Sequence, residues 1–302
     1  MSDNKLYDVI IIGGSYAGLS AAMALGRSLR SVLIIDSGAP CNRQTPHSHN
    51  FLTQDGERPA DIAAKAKEQV LAYNTVRFLN GHAVNATKND KGFVVTTADA
   101  QQFESKKLVL ASGIKDQMPG IKGFAECWGI SVVHCPYCHG YELRDKKTAI
   151  IAKGEKAFHL ASLVNNLTNN ITILSSGKVE LKEEQVAKLQ QHNIQIIETE
   201  ISAIDHNDGY VTRVVFADQS AIAVDAVYAA VPFTQHADLP ALLGCALTEQ
   251  GHISVDASCR TTVAGVFACG DNSGMMRSVA NAVYTGNMTG AMINRELTDE
   301  HF

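Results

Sequence analysis

An α/β fold is what this 302-residue sequence predicts. Three observations carry the prediction. Near the start an apolar run, Val9 to Ile12, meets the turn Gly13-Gly14-Ser15-Tyr16-Ala17-Gly18. An Ala/Leu/Met-rich helical stretch to Leu29 follows, then a second apolar run, Val32 to Ile35, ending on Asp36. Between residues 148 and 197, short β-branched runs again alternate with helical periodicity. Near the end, Gly265-Val266-Phe267-Ala268-Cys269-Gly270-Asp271 reads as a strand closing on Gly-Asp, and Ser278 to Ile293 as a helix rich in small residues. Strand–turn–helix–strand units build parallel sheets covered by helices. The expected architecture is two Rossmann-like dinucleotide-binding domains, the second inserted into a split first.

The first βαβ unit carries a dinucleotide fingerprint. Asp36 lies 18 residues after Gly18, close to the roughly 20 expected of the acidic residue that bonds an adenosine ribose. The pyrophosphate would sit on the helix N-terminus, where free N–H groups and the helix dipole favour anions. Ser15 replaces the middle glycine of GxGxxG; it adds a small side chain but keeps the N–H and can donate from its hydroxyl. Pro59 to Tyr73 reads as a helix, with Pro at its first position and Ile62, Ala66 and Val70 at helical spacing. Val76 to Leu79, Phe93 to Thr97 and Leu108 to Leu110 read as strands. The inserted unit runs through strand Thr148–Ile151, helix Glu155–Asn165, strand Ile171–Leu174, helix Glu183–His192 and strand Ile194–Ile197. Asp208-Gly209 marks a hairpin, and Val224 to Val231 is the last strand before Pro232.

Cys135-Pro136-Tyr137-Cys138 is the chemical centre of the sequence. Two cysteines at this spacing can close a small, reducible disulfide. A structural zinc site needs four ligands, and Cys41, Cys127, Cys245, Cys259 and Cys269 form no second CxxC pair, so no metal is expected. Seven cysteines is an odd number, which argues against a disulfide framework. A net charge of −5 disfavours nucleic acid or an anionic membrane as partner. No apolar stretch reaches the ~18 residues of a membrane helix, and the start carries no secretory pattern. The expected location is the cytoplasm, whose reducing potential suits a cycling dithiol.

The fingerprint with Asp36, the segment Ala111-Ser112-Gly113, the Thr262–Asp271 run and CPYC together resemble the low-molecular-weight thioredoxin reductase family, in order and over nearly the whole chain. The stretch from Cys135 through His139-Gly140-Tyr141-Glu142 resembles its branch of gliotoxin-type dithiol oxidases. The resemblance implies an FAD-binding domain in two parts, residues 1–117 and 239–302, around an inserted pyridine-nucleotide-type domain, residues 118–238, that carries the CxxC. It implies FAD contacts from Gly13, Ser15, Ala17, Gly18, Asp36, Ser37, Arg43, His49, Val84, Ala111, Gly113, Asp271, Arg277, Ser278 and Val279. Cys138 would face the flavin, and Cys135 would exchange with the partner. His139 is the expected acid/base, because imidazole titrates near neutral pH; Glu142 is the second candidate. A homodimer is implied by the resemblance alone.

The inserted domain departs from the family at Ile151-Ala152-Lys153-Gly154-Glu155-Lys156-Ala157. Ala152 stands where a tight turn favours glycine, and Glu155 would repel a pyrophosphate. Ser175-Ser176-Gly177-Lys178 offers no arginine for a 2′-phosphate. The expectation is an FAD-dependent thiol–disulfide oxidoreductase with a weakened NADPH site, acting on a thioredoxin-like protein or a small dithiol or disulfide. Retained NADPH use, an O₂-dependent oxidase of a small dithiol and a flavin-binding redox sensor are the alternatives.

Overall fold

The computed structural model describes residues 5–302. The chain begins with β1 (Leu6–Ile12), α1 (Tyr16–Arg27), β2 (Val32–Asp36), α2 (Pro59–Leu71), β3 (Val76–Asn80), β4 (Ala83–Asn89), β5 (Gly92–Thr97), β6 (Gln102–Leu110) and β7 (Ile114–Asp116). The middle segment holds α3 (Phe124–Cys127), β8 (Val132–Val133), α4 (Pro136–His139), β9 (Thr148–Ile151), α5 (Gly154–Val164), β10 (Ile171–Leu174), α6 (Glu183–Gln191), β11 (Gln195–Ile197), β12 (Ile201–Asn207), β13 (Tyr210–Phe216), β14 (Ala221–Ala223) and β15 (Ala226–Ala229). It closes with β16 (Phe233–Gln235), α7 (Leu239–Leu242), β17 (Val266–Ala268) and α8 (Val279–Asp299). Two compact units result. One holds the chain up to Arg43, Phe51–Lys115 and Phe233–Phe302; the other holds Gln44–Asn50 and Asp116–Pro232.

In the first unit β3, β2, β1, β6 and β17 form a parallel sheet in that order. The two-residue period of a strand sends successive side chains to opposite faces. Val9 and Ile11, with Val32 and Ile34, pack under α1, α2 and α8. Ile10 and Ile12, with Leu33 and Ile35, pack on the other face with residues of β4 and β5, Leu239 and Ile253. Both faces are buried, which is why these strands read as continuous apolar runs. The N-terminal half of β6 pairs antiparallel with β5, and β5 with β4.

Helices α1 and α8 pack backbone to backbone. A Cβ on Gly286 would lie 2.1 Å from the Ala17 carbonyl oxygen, and one on Gly290 2.6 Å from that of Ala21. Helix α8 starts on Ser278, whose hydroxyl accepts the Asn281 N–H at 3.1 Å. It runs past the expected end at Ile293 because Leu297 is fully buried and Glu296 is held by Lys107 at 3.1 Å and by Arg260. Burying a leucine side chain stabilises by about 1.5–3 kcal/mol.

The second unit repeats the plan with different covers. Its parallel sheet runs β11, β10, β9, β15, β8. Helices α5 and α6 pack on Ile150, Ile173 and Tyr228 on one face. The antiparallel meander β12–β13–β14 covers Ala149, Leu174 and Val227 on the other. Asp208 (φ 49°) and Gly209 (φ 84°) make the β12–β13 turn, and two consecutive positive φ values match the twist of a tight hairpin. Among the described residues no helix is long and apolar enough to cross a membrane.

Candidate active site

The dinucleotide cradle of the first unit lies at the carboxyl ends of β1, β2, β6 and β17, where parallel sheets bind ligands. Gly13 takes φ +105°, and a Cβ there would sit 2.2 Å from the Ala111 carbonyl oxygen. A Cβ on Gly18 would lie 1.8 Å from the Gly13 carbonyl oxygen. These two positions bring the turn against β6 and against the first turn of α1, with Ser15 as the α1 N-cap in an extended conformation. The Asp36 carboxylate accepts the Gly14 N–H at 2.8 Å and the Gly38 N–H at 3.1 Å. It is thereby held over the turn, at the end of β2.

The other expected cofactor residues fall around this cradle or on loops of the same unit. Ala111 and Gly113 (φ +69°) follow β6. Asp271 follows β17 and lies 3.8 Å from Arg277. Ser278 and Val279 open α8, and the first turn of that 21-residue helix offers a positive dipole end. Ser37 and Arg43 are exposed on the loop after β2, and Val84 is half exposed in β4. The donors fit FAD: a glycine turn too tight for side chains, an acid at the second strand end and a capped helix start.

Two histidines here were absent from the sequence reading. Burial pushes the His236 imidazole below its usual range, and His82, Lys115 and Arg43 push the same way against Asp36. Its backbone N–H donates to Gly113 at 3.3 Å. His252 is buried, stacks on Phe233 at 4.7 Å and is likewise held down, by burial and then by Arg277. Neither follows a sequence motif; only packing brings them to the strand ends.

The second unit holds the cysteine pair. Strand β8 leads through His134 to Cys135, the N-cap of the four-residue α4. The Cys135 carbonyl accepts the N–H groups of Cys138 (3.2 Å) and His139 (3.3 Å), which sets both cysteines on one turn. Both are partly exposed thiols. Gly140 lets α4 pack close, since a Cβ there would meet Leu167 at 2.5 Å and the Pro136 carbonyl oxygen at 2.3 Å. Burial holds the His139 imidazole below its normal range, His49 acts in the same sense, and Glu142 opposes them. His49 belongs to this unit, with Nδ1 3.6 Å from a Glu142 oxygen.

Two other thiols, Cys127 and Cys269, one in each unit, are buried. Burial pushes the Cys127 thiol up to about 11 and the Cys269 thiol up to about 12. Trp128 is buried. It stacks on Phe124 and on His134 at 5.7 and 6.0 Å and donates from Nε1 to Asp116 at 3.3 Å. Tyr137 is 68% exposed and remains the surface ring of the motif.

The second glycine turn takes a different course from the first. Its left-handed residue is Gly154 (φ +54°), two positions after Ala152, and α5 starts there. The Gly154 N–H donates to the Val179 carbonyl at 2.8 Å, so the segment after β10 folds back onto the helix start. Glu198 holds that segment by accepting the Val179 N–H at 2.8 Å. The Glu155 carboxylate stands in the first turn of α5 and accepts from Gln185 at 2.9 Å. A backbone carbonyl and a carboxylate thus occupy the end of α5 that would receive a pyrophosphate.

A glycine-turn dinucleotide cradle and a dithiol on a short helix define a dinucleotide-dependent disulfide oxidoreductase. The chain belongs to the pyridine nucleotide-disulphide oxidoreductase family, whose pattern it matches over residues 7–286. It is 33% identical to thioredoxin reductase tcpT of Claviceps purpurea over 98% of this chain and 96% of that one. It is 32% identical to thioredoxin reductase sirT of Leptosphaeria maculans, covering 96% and 94%. An oxidoreductase structure from Agrobacterium tumefaciens superposes with a TM-score of 0.92 at 38% identity, covering 98% and 99%. The protein is an FAD-dependent thiol–disulfide oxidoreductase of the thioredoxin reductase type.

Proposed function

We propose that this enzyme passes electrons between FAD held by its first unit and the Cys135/Cys138 pair of its second, and exchanges them with an external thiol or disulfide without using NADPH. The carrying observation is the filled start of α5, where the Val179 carbonyl takes the Gly154 N–H and Glu155 adds negative charge. An anionic pyrophosphate needs the opposite: free N–H groups and positive potential. The lack of an arginine in Ser175–Lys178 removes the grip on a 2′-phosphate.

Bound FAD supplies the two-electron acceptor or donor. The protein's own groups handle sulfur and protons. In the oxidising direction a partner thiolate attacks Cys135, the Cys135–Cys138 bond breaks and Cys138 leaves as thiolate. The partner's second thiol then displaces Cys135, closing the partner's disulfide. In the reducing direction the Cys135 thiolate attacks the partner's disulfide, one partner sulfur leaves as thiolate, and Cys138 then attacks Cys135, releasing the second partner sulfur and closing the Cys135–Cys138 bond. Neutral His139 takes the proton of the attacking thiol, and Glu142 with His49 orients it. His49 is therefore assigned to the thiol chemistry in preference to FAD, while the other cofactor residues keep their assignment. The partner is a small dithiol or a thioredoxin-like protein meeting the exposed Tyr137. A homodimer in the cytoplasm completes the reading on family likeness.

The test is an anaerobic mix of the yellow protein with NADPH or with a dithiol, following the long-wavelength flavin band. Bleaching by the dithiol alone is expected. Rapid bleaching by NADPH would overturn the closed-site reading. Oxygen uptake driven by dithiol would then mark an oxidase, and thioredoxin reduction a reductase fed by another donor.

A further inference from the structure

Tyr228 has an unexplained hydroxyl. The residue is on β15, registered against Val133 of β8 and Ile150 of β9. Val133 lies two residues before Cys135 on the strand that feeds α4. The ring packs in the core under that segment, among Val133, Leu143, Ile150 and Leu160. Only 1% of Tyr228 is exposed, and its hydroxyl has no hydrogen-bond partner among the described residues. Burying an unmatched hydroxyl is unfavourable, and phenylalanine would fill the same space without that cost.

The titratable groups whose charge acts on this phenol are Cys135 and Glu142, which flank α4 in the chain. Next to them stand His139 and His49. Helix α5 contributes Ala157, Leu160, Ala161 and Val164 to the same core cluster as Tyr228. Burial, then the charges of Cys135 and Glu142, raises the phenol, so Tyr228 donates a hydrogen bond without giving up its proton.

We propose that Tyr228 is a hydrogen-bond donor reserved for Cys135, engaging its sulfur when that sulfur is a thiolate and standing unpaired when it is not. This rests on the reading of Cys135 as the exchanging cysteine. Two-electron opening of the Cys135–Cys138 disulfide, by flavin or by an external dithiol, breaks the S–S bond and leaves two sulfurs with an electron pair each. One takes a proton. The Tyr228 hydroxyl stabilises Cys135 as the other, and no atom leaves the tyrosine. In a poorly solvated pocket such a bond is stronger than in water. A hydrogen bond to a charged group is of the size that moves a thiol by about 1–2 pH units.

The test uses the full FAD-loaded protein with Cys138→Ser, comparing Tyr228 with Tyr228→Phe. Alkylation of Cys135 by iodoacetamide is followed from pH 5 to 9 and quantified on its own peptide, since Cys41 is also exposed. The expected result is a midpoint 1–2 units higher in Tyr228→Phe, with alkylation at least tenfold slower at pH values below the midpoint. The melting temperature should be unchanged or raised, which a purely structural tyrosine would not give. An unmoved midpoint overturns the proposal. Should the phenylalanine variant lose its fold, 3-fluorotyrosine incorporation serves instead: the stronger donor should lower the midpoint, and no shift overturns it equally. Thiol turnover by Cys138→Ser would instead sink the redox-pair reading, and the proposal with it.

Discussion

His139 shows how one side chain acquires its function from its neighbours. Its position directly after Cys138 is visible in the sequence, but its protonation state is set by burial, His49 and Glu142. Burial disfavours the imidazolium, and His49 acts in the same sense. The folded value therefore lies below the ordinary 6.5, and the ring is neutral at pH 7. Thiol turnover should rise with pH through a midpoint below 6.5 and stay level at neutrality. Glu142→Gln removes the opposing negative charge, so the midpoint should fall further. His139→Gln should lower turnover at pH 7 by about 100-fold and abolish this limb; an intact limb in that variant would reassign the base. Asp36, Gly13 and Gly18 were legible because their types follow from the chemistry of a pyrophosphate turn. His236 and His252 were not, since a lone histidine outside a motif carries no signal until packing places it.

Elements differ in how far their sequence declares them. Strands β9 and β10 match the expected Thr148–Ile151 and Ile171–Leu174 because apolar runs buried on both faces have abrupt polar ends. Helix α1 starts earlier than the apolar pattern, at Tyr16, because the glycine turn is itself the helix start. The last helix outruns its pattern because its end is held by Lys107 and Arg260 from elsewhere in the chain. The α1–α8 contact depends on Gly286, whose Cβ position is taken by the Ala17 backbone. Gly286→Val should separate the helices and cost about 1–3 kcal/mol, read as a lower urea midpoint. An unchanged midpoint would mean that the helices can shift at no cost.

Two units with separate cores should not melt as one. Each sheet buries both its faces within its own unit, so equilibrium unfolding is expected to depart from two-state behaviour. On the proposed reading FAD binds the native first unit, and a ligand that does so stabilises it by mass action, about 2.7 kcal/mol at a free concentration 100 times Kd. Scanning calorimetry with and without added FAD should move one transition upward and leave the other in place. A single transition that shifts as a whole would show that the units unfold together. Gln44–Asn50 lies within the chain of the first unit yet packs with the second. No composition shift marks that exchange.

The amino-acid pattern alone was enough for the α/β class, the flavin fingerprint, the cysteine pair and the altered second glycine turn. These are local: period-two burial, glycine at tight turns and paired cysteines are each imposed within a few residues. Folding supplied the rest, because it depends on groups distant in the chain. It brought His49 to Glu142, folded Val179 over the start of α5, buried Trp128 and set Tyr228 beneath the redox turn, where long-range packing and desolvation decide which polar groups can ionise or bond.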